Sequence, residues 1–165
     1  MKTLLTIGLL VSALSLGLAQ EVQGASQKCF IVTHNGHYLT AVAGGGQIDD
    51  AIHSDATQGR SWETFTLVDS GAGNSTYGIK TLTGNYLTAV DGGGLTVDVI
   101  HSDAAVIRDW EEFKFYPMGD GYFGIQTHAG NFLTAVGGGG RTTDVIHSNQ
   151  TGVGPSEKFK LKCNP

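Results

Sequence analysis

Short runs of alternating apolar and polar residues recur along most of the chain, and no stretch keeps the three-to-four spacing of an amphipathic helix. Phe30-Ile-Val, Tyr38-Leu-Thr-Ala-Val, Thr64-Phe-Thr-Leu-Val and Phe113-Lys-Phe-Tyr are typical, rich in β-branched and aromatic residues that suit a pleated, half-buried surface. Turn signals separate them, among them Asn35-Gly36, Ser70-Gly71, Gly119-Asp-Gly121 and Ala129-Gly130. The pattern predicts twelve strands, at about 28–33, 37–42, 51–54, 63–68, 76–81, 85–90, 97–102, 111–116, 122–127, 131–136, 144–148 and 157–162.

The strands fall into three groups of four because the sequence repeats. Gly36-His-Tyr-Leu-Thr-Ala-Val-Ala-Gly-Gly-Gly returns as Gly84-Asn-Tyr-Leu-Thr-Ala-Val-Asp-Gly-Gly-Gly and as Gly130-Asn-Phe-Leu-Thr-Ala-Val-Gly-Gly-Gly-Gly, at spacings of 48 and then 46 residues. Each copy continues into Asp50-Ala-Ile-His-Ser-Asp, Asp98-Val-Ile-His-Ser-Asp or Asp144-Val-Ile-His-Ser-Asn. A fixed period of this size marks one supersecondary unit used three times. Three four-stranded repeats, at about 28–75, 76–121 and 122–163, predict an all-β fold with pseudo-threefold symmetry: a β-trefoil, in which six strands close a barrel and three hairpins cap it. Closure leaves no exposed sheet edge, and three blades are too few for a propeller. Tyr38, Tyr86 and Phe132, Leu39, Leu87 and Leu133, and Phe65, Phe113 and Phe159 recur at equivalent positions and are the expected barrel core.

The first 19 residues read differently. Lys2, an apolar run from Leu4 to Leu16, and small residues at Gly17 and Ala19 predict a signal peptide cleaved after Ala19, leaving 20–165 as one secreted domain. The apolar run is too short to span a bilayer, so no membrane insertion is expected. The two cysteines, Cys29 and Cys163, lie in the first and last strands, and in a secreted chain such a pair is expected to be a disulfide. A net charge of −5 and no run of basic residues argue against nucleic acid as a partner. Asn74-Ser-Thr76 and Asn149-Gln-Thr151 are N-glycosylation sequons.

Candidate chemistry is concentrated in the repeats. The triple glycines lack the Lys-Ser/Thr and the following helix of a phosphate loop, so they predict tight turns with positive φ. His53, His101 and His147 occupy equivalent positions; on separate repeats they are expected to act as hydrogen-bonding groups rather than to converge on a metal. Trp62-Glu63-Thr-Phe65 and Trp110-Glu111-Glu-Phe113 are the most suggestive pair. An indole face packs on the C–H face of a pyranose, and a carboxylate accepts hydrogen bonds from its hydroxyls. The third repeat has Ser156-Glu157-Lys-Phe159, so the tryptophan is lost while Glu157 remains. A core plug replaced by serine would leave a cavity costing several kcal/mol, which places Trp62 and Trp110 outside the core. Asp50, Asp98 and Asp144 precede Ile-His pairs and are expected to border the same shallow sites, with the Trp-Glu pair as the far wall. No nucleophile motif and no paired acid/base carboxylates are present, so no catalysis, cofactor or metal is expected.

The set Gly-x-Tyr-Leu-Thr-Ala-Val-x-Gly-Gly-Gly, Asp-x-Ile-His-Ser-Asp and Trp-Glu-x-Phe resembles the fascin-like β-trefoil repeats of secreted carbohydrate-binding proteins, and is most similar to carbohydrate-binding module family 92. The likeness runs from about Cys29 to Cys163 and occurs three times. It implies a non-catalytic, multivalent lectin or stand-alone binding module for β-1,6- or β-1,3-linked glucans, expected as a monomer. The implied centres are Trp62 with Glu63 and Trp110 with Glu111, and a third site depleted to Glu157. Ricin-type lectins share the fold, but their Gln-x-Trp motif is absent. Two other classes use trefoils. Actin-bundling proteins work in the cytosol, against the leader sequence. Protease inhibitors present one distinctive loop, against three near-identical repeats.

Overall fold

Alternation with period two gives each strand one inward face, and in this chain those faces close on one another. The computed structural model describes residues 26–164; the expected leader, residues 1–19, lies outside them. The strands are β1 (Ser26–Val32), β2 (Tyr38–Ala41), β3 (Ile52–Ala56), β4 (Thr64–Asp69), β5 (Thr76–Lys80), β6 (Tyr86–Ala89), β7 (Ile100–Ala104), β8 (Phe113–Pro117), β9 (Tyr122–Gln126), β10 (Phe132–Ala135), β11 (Ile146–Gln150) and β12 (Lys158–Cys163). Antiparallel pairing runs β1–β4–β5–β8–β9–β12 and returns to β1, a closed six-stranded barrel. Three hairpins, β2–β3, β6–β7 and β10–β11, branch from it through single pairs at Val32–Tyr38, Lys80–Tyr86 and Gln126–Phe132. This is the β-trefoil that the repeats predict.

The barrel is filled three times over by the same residues. Phe65, Phe113 and Phe159 are fully buried, with Ile31, Ile79 and Ile125 beside them and Leu39, Leu87 and Leu133 beneath the hairpins. Tyr38, Tyr86 and Phe132 differ from expectation: they are half-buried and lie outside the core cluster. Each begins a hairpin strand, where an aromatic ring can rest against its neighbours rather than enter the barrel. Tyr38 packs edge-on against Phe30 under the Lys162 ammonium, Tyr86 lies under Lys80, and Phe132 packs against Tyr116.

The strands that follow the glycine loops start at Ile52, Ile100 and Ile146, later than the alternation predicts. Asp50, Asp98 and Asp144 have φ of 51°, 52° and 49°. That left-handed conformation cannot continue a strand. The glycine loops themselves fasten one repeat to the next. Gly46 N donates to Ser102 O at 2.7 Å and Ser102 N to Gln47 O at 2.8 Å, and the same exchange joins Gly94 and Leu95 to Ser148 and Gly140 and Arg141 to Ser54. Gly45, Gly93 and Gly139, at φ of 110°, 112° and 104°, approach Thr81, Thr127 and Thr33 so closely that a Cβ would overlap the threonine hydroxyl. The serine of Ile-His-Ser and the central glycine are thus cementing residues of the cap. Cys29 and Cys163 stand opposite each other in the β1–β12 register and form the expected disulfide, where the two ends of the chain close the barrel.

Candidate functional site

Each tryptophan is carried on a turn held by the glutamate that follows it. In the second repeat, Arg108 N donates to Glu111 Oε2 at 2.9 Å and Thr88 Oγ1 donates to Glu111 Oε1 at 2.7 Å. The first repeat repeats this with Arg60 N and Thr40 Oγ1 on Glu63, both at 2.8 Å. The third repeat does the same with Gly154 N and Thr134 Oγ1 on Glu157. Glu63, Glu111 and Glu157 are only 7, 7 and 8 % exposed. The expected sugar-facing glutamate is therefore first an anchor: it ties a tight turn to the middle strand of its own repeat, and the residue before it is thrown outward. Those residues are Trp62, 47 % exposed, and Trp110, 44 % exposed, which fits the sequence expectation that they lie outside the core.

The indole does not stand alone on the surface. Cδ1 and Nε1 of Trp62 lie 3.4 Å from where a Gly44 Cβ would stand, and Leu82 Cδ2 lies 3.5 Å from the same point. Trp110 lies over Gly92 in the same way, next to the backbone of Ala129. Trp110, Glu111, Arg108 and Asp109 line an open depression of about 590 Å³. The residues missed in the sequence are the second walls, Leu82 and Ala129, because they belong to the following repeat. Their signal was present: Thr33-His-Asn-Gly36, Thr81-Leu-Thr-Gly84 and Thr127-His-Ala-Gly130 precede each repeat copy with the same Thr-x-x-Gly frame. The backbone confirms the junction, since Thr83 N donates to Gly44 O and Ala129 N to Gly92 O at 3.0 and 2.8 Å.

The third repeat keeps the turn, on Pro155–Glu157, but shows Ser156. Here Asn35 of the first repeat fills the space over the glycine loop. Its side chain lies against the position a Gly138 Cβ would take, and Nδ2 donates to Gly137 O at 3.1 Å.

The aspartates and histidines form pairs within each repeat: Asp50 with His53 at 2.9 Å, Asp98 with His101 at 2.8 Å, and Asp144 with His147 at 2.7 Å. His53, His101 and His147 stand across from Thr40, Thr88 and Thr134, whose hydroxyls hold the glutamates. Direct cross-strand neighbours share a face, so the imidazoles are linked to the tryptophan turns indirectly. Asp50, Asp98 and Asp144 line one common depression of about 450 Å³, together with the buried Ala51, Val99 and Val145. Equivalent segments of all three repeats meet there, which only the pseudo-threefold axis can arrange. No cluster of metal-ligating groups occurs among the described residues. Asn74 and Asn149 of the sequons are both exposed.

Removing the anchor tests this division of roles. Glu111→Ala leaves the Arg108 N–H without its acceptor and should cost about 2–4 kcal/mol, since hydrogen bonds to a charged group are worth roughly 1.5–3 kcal/mol each. Glu111→Gln, which can still accept from Arg108 N and donate to Thr88, should recover most of it. Thermal unfolding measures both variants, and an unchanged midpoint for the alanine variant would remove the anchoring role.

No protein-family model matches the chain, and no curated protein matches it in sequence. Solved structures do. The designed threefold-symmetric protein ThreeFoil superposes with a TM-score of 0.69 at 17 % identity, over 81 % of this chain and 96 % of that one. SeviL bound to asialo-GM1 saccharide gives 0.59 at 14 % identity, over 84 % and 98 %. The exo-β-1,3-galactanase 1,3Gal43A from Clostridium thermocellum gives 0.65 at 22 % identity, over 82 % of this chain but only 30 % of the enzyme. At these identities the likeness establishes the fold.

Proposed function

We propose that this chain is a secreted, non-catalytic carbohydrate-binding protein that engages polysaccharide through separate shallow sites centred on Trp62 and Trp110. The observation that carries the reading is the display of two large indoles, nearly half exposed, on turns that buried glutamates hold rigid. Exposing an indole in water forgoes burial worth about 2–3 kcal/mol, and a pyranose C–H face is its natural cover. Glu63 and Glu111 fix the turns, and Glu111 lines the depression beside Trp110. His53 and His101, oriented by Asp50 and Asp98, flank the same hairpins. In the third repeat Glu157, Asp144 and His147 remain, but Ser156 offers no stacking surface and Asn35 occupies the loop. Two sites therefore dominate.

SeviL bound to asialo-GM1 saccharide shares this architecture and supports the ligand class. The resemblance of the repeats to carbohydrate-binding module family 92 points to β-1,6- or β-1,3-glucan as the polymer. The leader-like residues 1–19 and the disulfide, which persists in oxidising compartments, support secretion. The test is co-sedimentation of the purified protein with insoluble β-1,3- and β-1,6-glucans, with cellulose and chitin as comparisons. Retention on at least one β-glucan above the comparisons is expected. No retention on any polysaccharide, with the protein folded, would defeat the reading.

A further inference from the structure

Charge is sorted by strand class in this fold. The six barrel strands carry Lys28, Lys80, Lys114, Lys158, Lys160 and Lys162 against one carboxylate, Asp69. All other described segments together hold thirteen carboxylates and three arginines. With six charges against one and three against thirteen, the barrel wall is +5 and the rest of the described chain −10. The sequence contains no run of basic residues, yet a strand makes one: Lys158, Lys160 and Lys162 alternate with buried Phe159 and half-buried Leu161, so all three stand on the outer face of β12. Successive lysine Cα atoms are then spaced about 7 Å apart along the strand. Lys28 joins them from β1, one position before the paired Cys29–Cys163.

Among the described residues these lysines have no partner of opposite sign. The four ion pairs among the described residues involve histidines and Arg141 with aspartates, and no lysine. Instead, Lys160 Nζ lies 4.5 Å over the Tyr122 ring, and Lys162 Nζ lies 4.9 Å over Tyr38 while donating to its hydroxyl at 2.8 Å. The rings hold the ammonium groups in place without neutralising them. The Trp110 site is set beside Asp91, Asp109 and Glu112, which repel an anionic chain.

We propose that the outer face of β12, with Lys28, binds linear polysaccharides bearing carboxylate or sulfate groups, at a surface separate from the tryptophan sites. Other polyanions fit this wall less well. Nucleic acid bound in single strands needs open aromatic faces for base stacking, and here ammonium groups cover the Tyr38 and Tyr122 rings. An anionic membrane surface favours apolar residues beside the cations. The exposed large hydrophobics, Ile48, Trp62, Leu82, Val97, Val106 and Trp110, all lie off the barrel strands. An anionic glycan needs only fixed, spaced cations on a rigid wall.

This inference does not rest on the tryptophan-centred reading, and its test is separable from it. Binding of the wild-type protein to dextran sulfate and to polygalacturonate is measured in a salt series, with neutral dextran as the control. Lys158→Gln/Lys160→Gln/Lys162→Gln is compared with Trp62→Ala/Trp110→Ala. The lysine variant should bind the charged polymers about tenfold more weakly at low salt, the sum of three exposed ion pairs. It should keep its melting temperature and any β-glucan retention, while the tryptophan variant keeps polyanion binding. Equal affinity of the lysine variant and wild type would overturn the proposal. So would tighter binding to single-stranded DNA or to phosphatidylserine vesicles than to either charged polysaccharide.

Discussion

The variant Trp62→Ala/Trp110→Ala is expected to lose β-glucan retention to the level of the cellulose control while remaining folded. Each indole is nearly half exposed, so truncating it removes little from the core; its worth is realised when a sugar covers it. Losing one stacked aromatic costs about 1–3 kcal/mol of binding, roughly tenfold or more. A polymer that spans both sites gains a further factor of about 10²–10⁴ from the second attachment. Either single variant should therefore surrender most of that avidity, and the double variant the remainder. Binding isotherms on insoluble glucan, with the melting temperature as a folding control, measure both steps. A folded double variant that binds like wild type would eliminate the tryptophan-centred sites.

The largest effect on stability is expected from Cys29→Ala/Cys163→Ala. The disulfide joins residues 134 apart in sequence, and in the chain-entropy model a loop of that size is worth about 5 kcal/mol. Its position adds a structural reason. β1 and β12 are the first and last described strands, so theirs is the one barrel seam not bridged by a direct connection or a single hairpin. Without the bridge, backbone pairs and core packing alone hold it. A fall in melting temperature of about 10–20 °C is expected for a domain of this length. Because neither cysteine takes part in the hydrogen bonds that hold the tryptophan turns, glycan binding at low temperature should persist. Thermal unfolding with and without reductant provides the check, and a shift below about 2 °C would show that the seam needs no staple.

The reach of local pattern is clearest where a residue's role depends on its own strand. Phe65, Phe113 and Phe159 read as core from alternation alone, and the outward tryptophans from the Trp-to-Ser change at residue 156. The tyrosines at 38 and 86 satisfied the same pattern and still lie half outside the barrel. Period-two reasoning assigns a side to a strand but does not say whether a hairpin or a barrel stands behind it. The glutamates show the same limit. Spacing placed Glu63, Glu111 and Glu157 beside the tryptophan position, but their partners are threonines 23 residues upstream, brought near only by the hairpin.

The sequence by itself determined the threefold division, the strand inventory, the cysteine pairing and the placing of Trp62 and Trp110 outside the core. All of these follow from periodicity or from residue chemistry. Only the tertiary structure decided which groups meet across repeats. It set Leu82 and Ala129 beside the tryptophans of the preceding repeat and Asn35 over the third loop. It also gathered Asp50, Asp98 and Asp144 round a single depression and set Lys158, Lys160 and Lys162 on one barrel wall. The physical reason is that barrel closure is a global condition. Where each repeat's surface falls relative to the next is set by twelve strands closing together, and no single repeat encodes it.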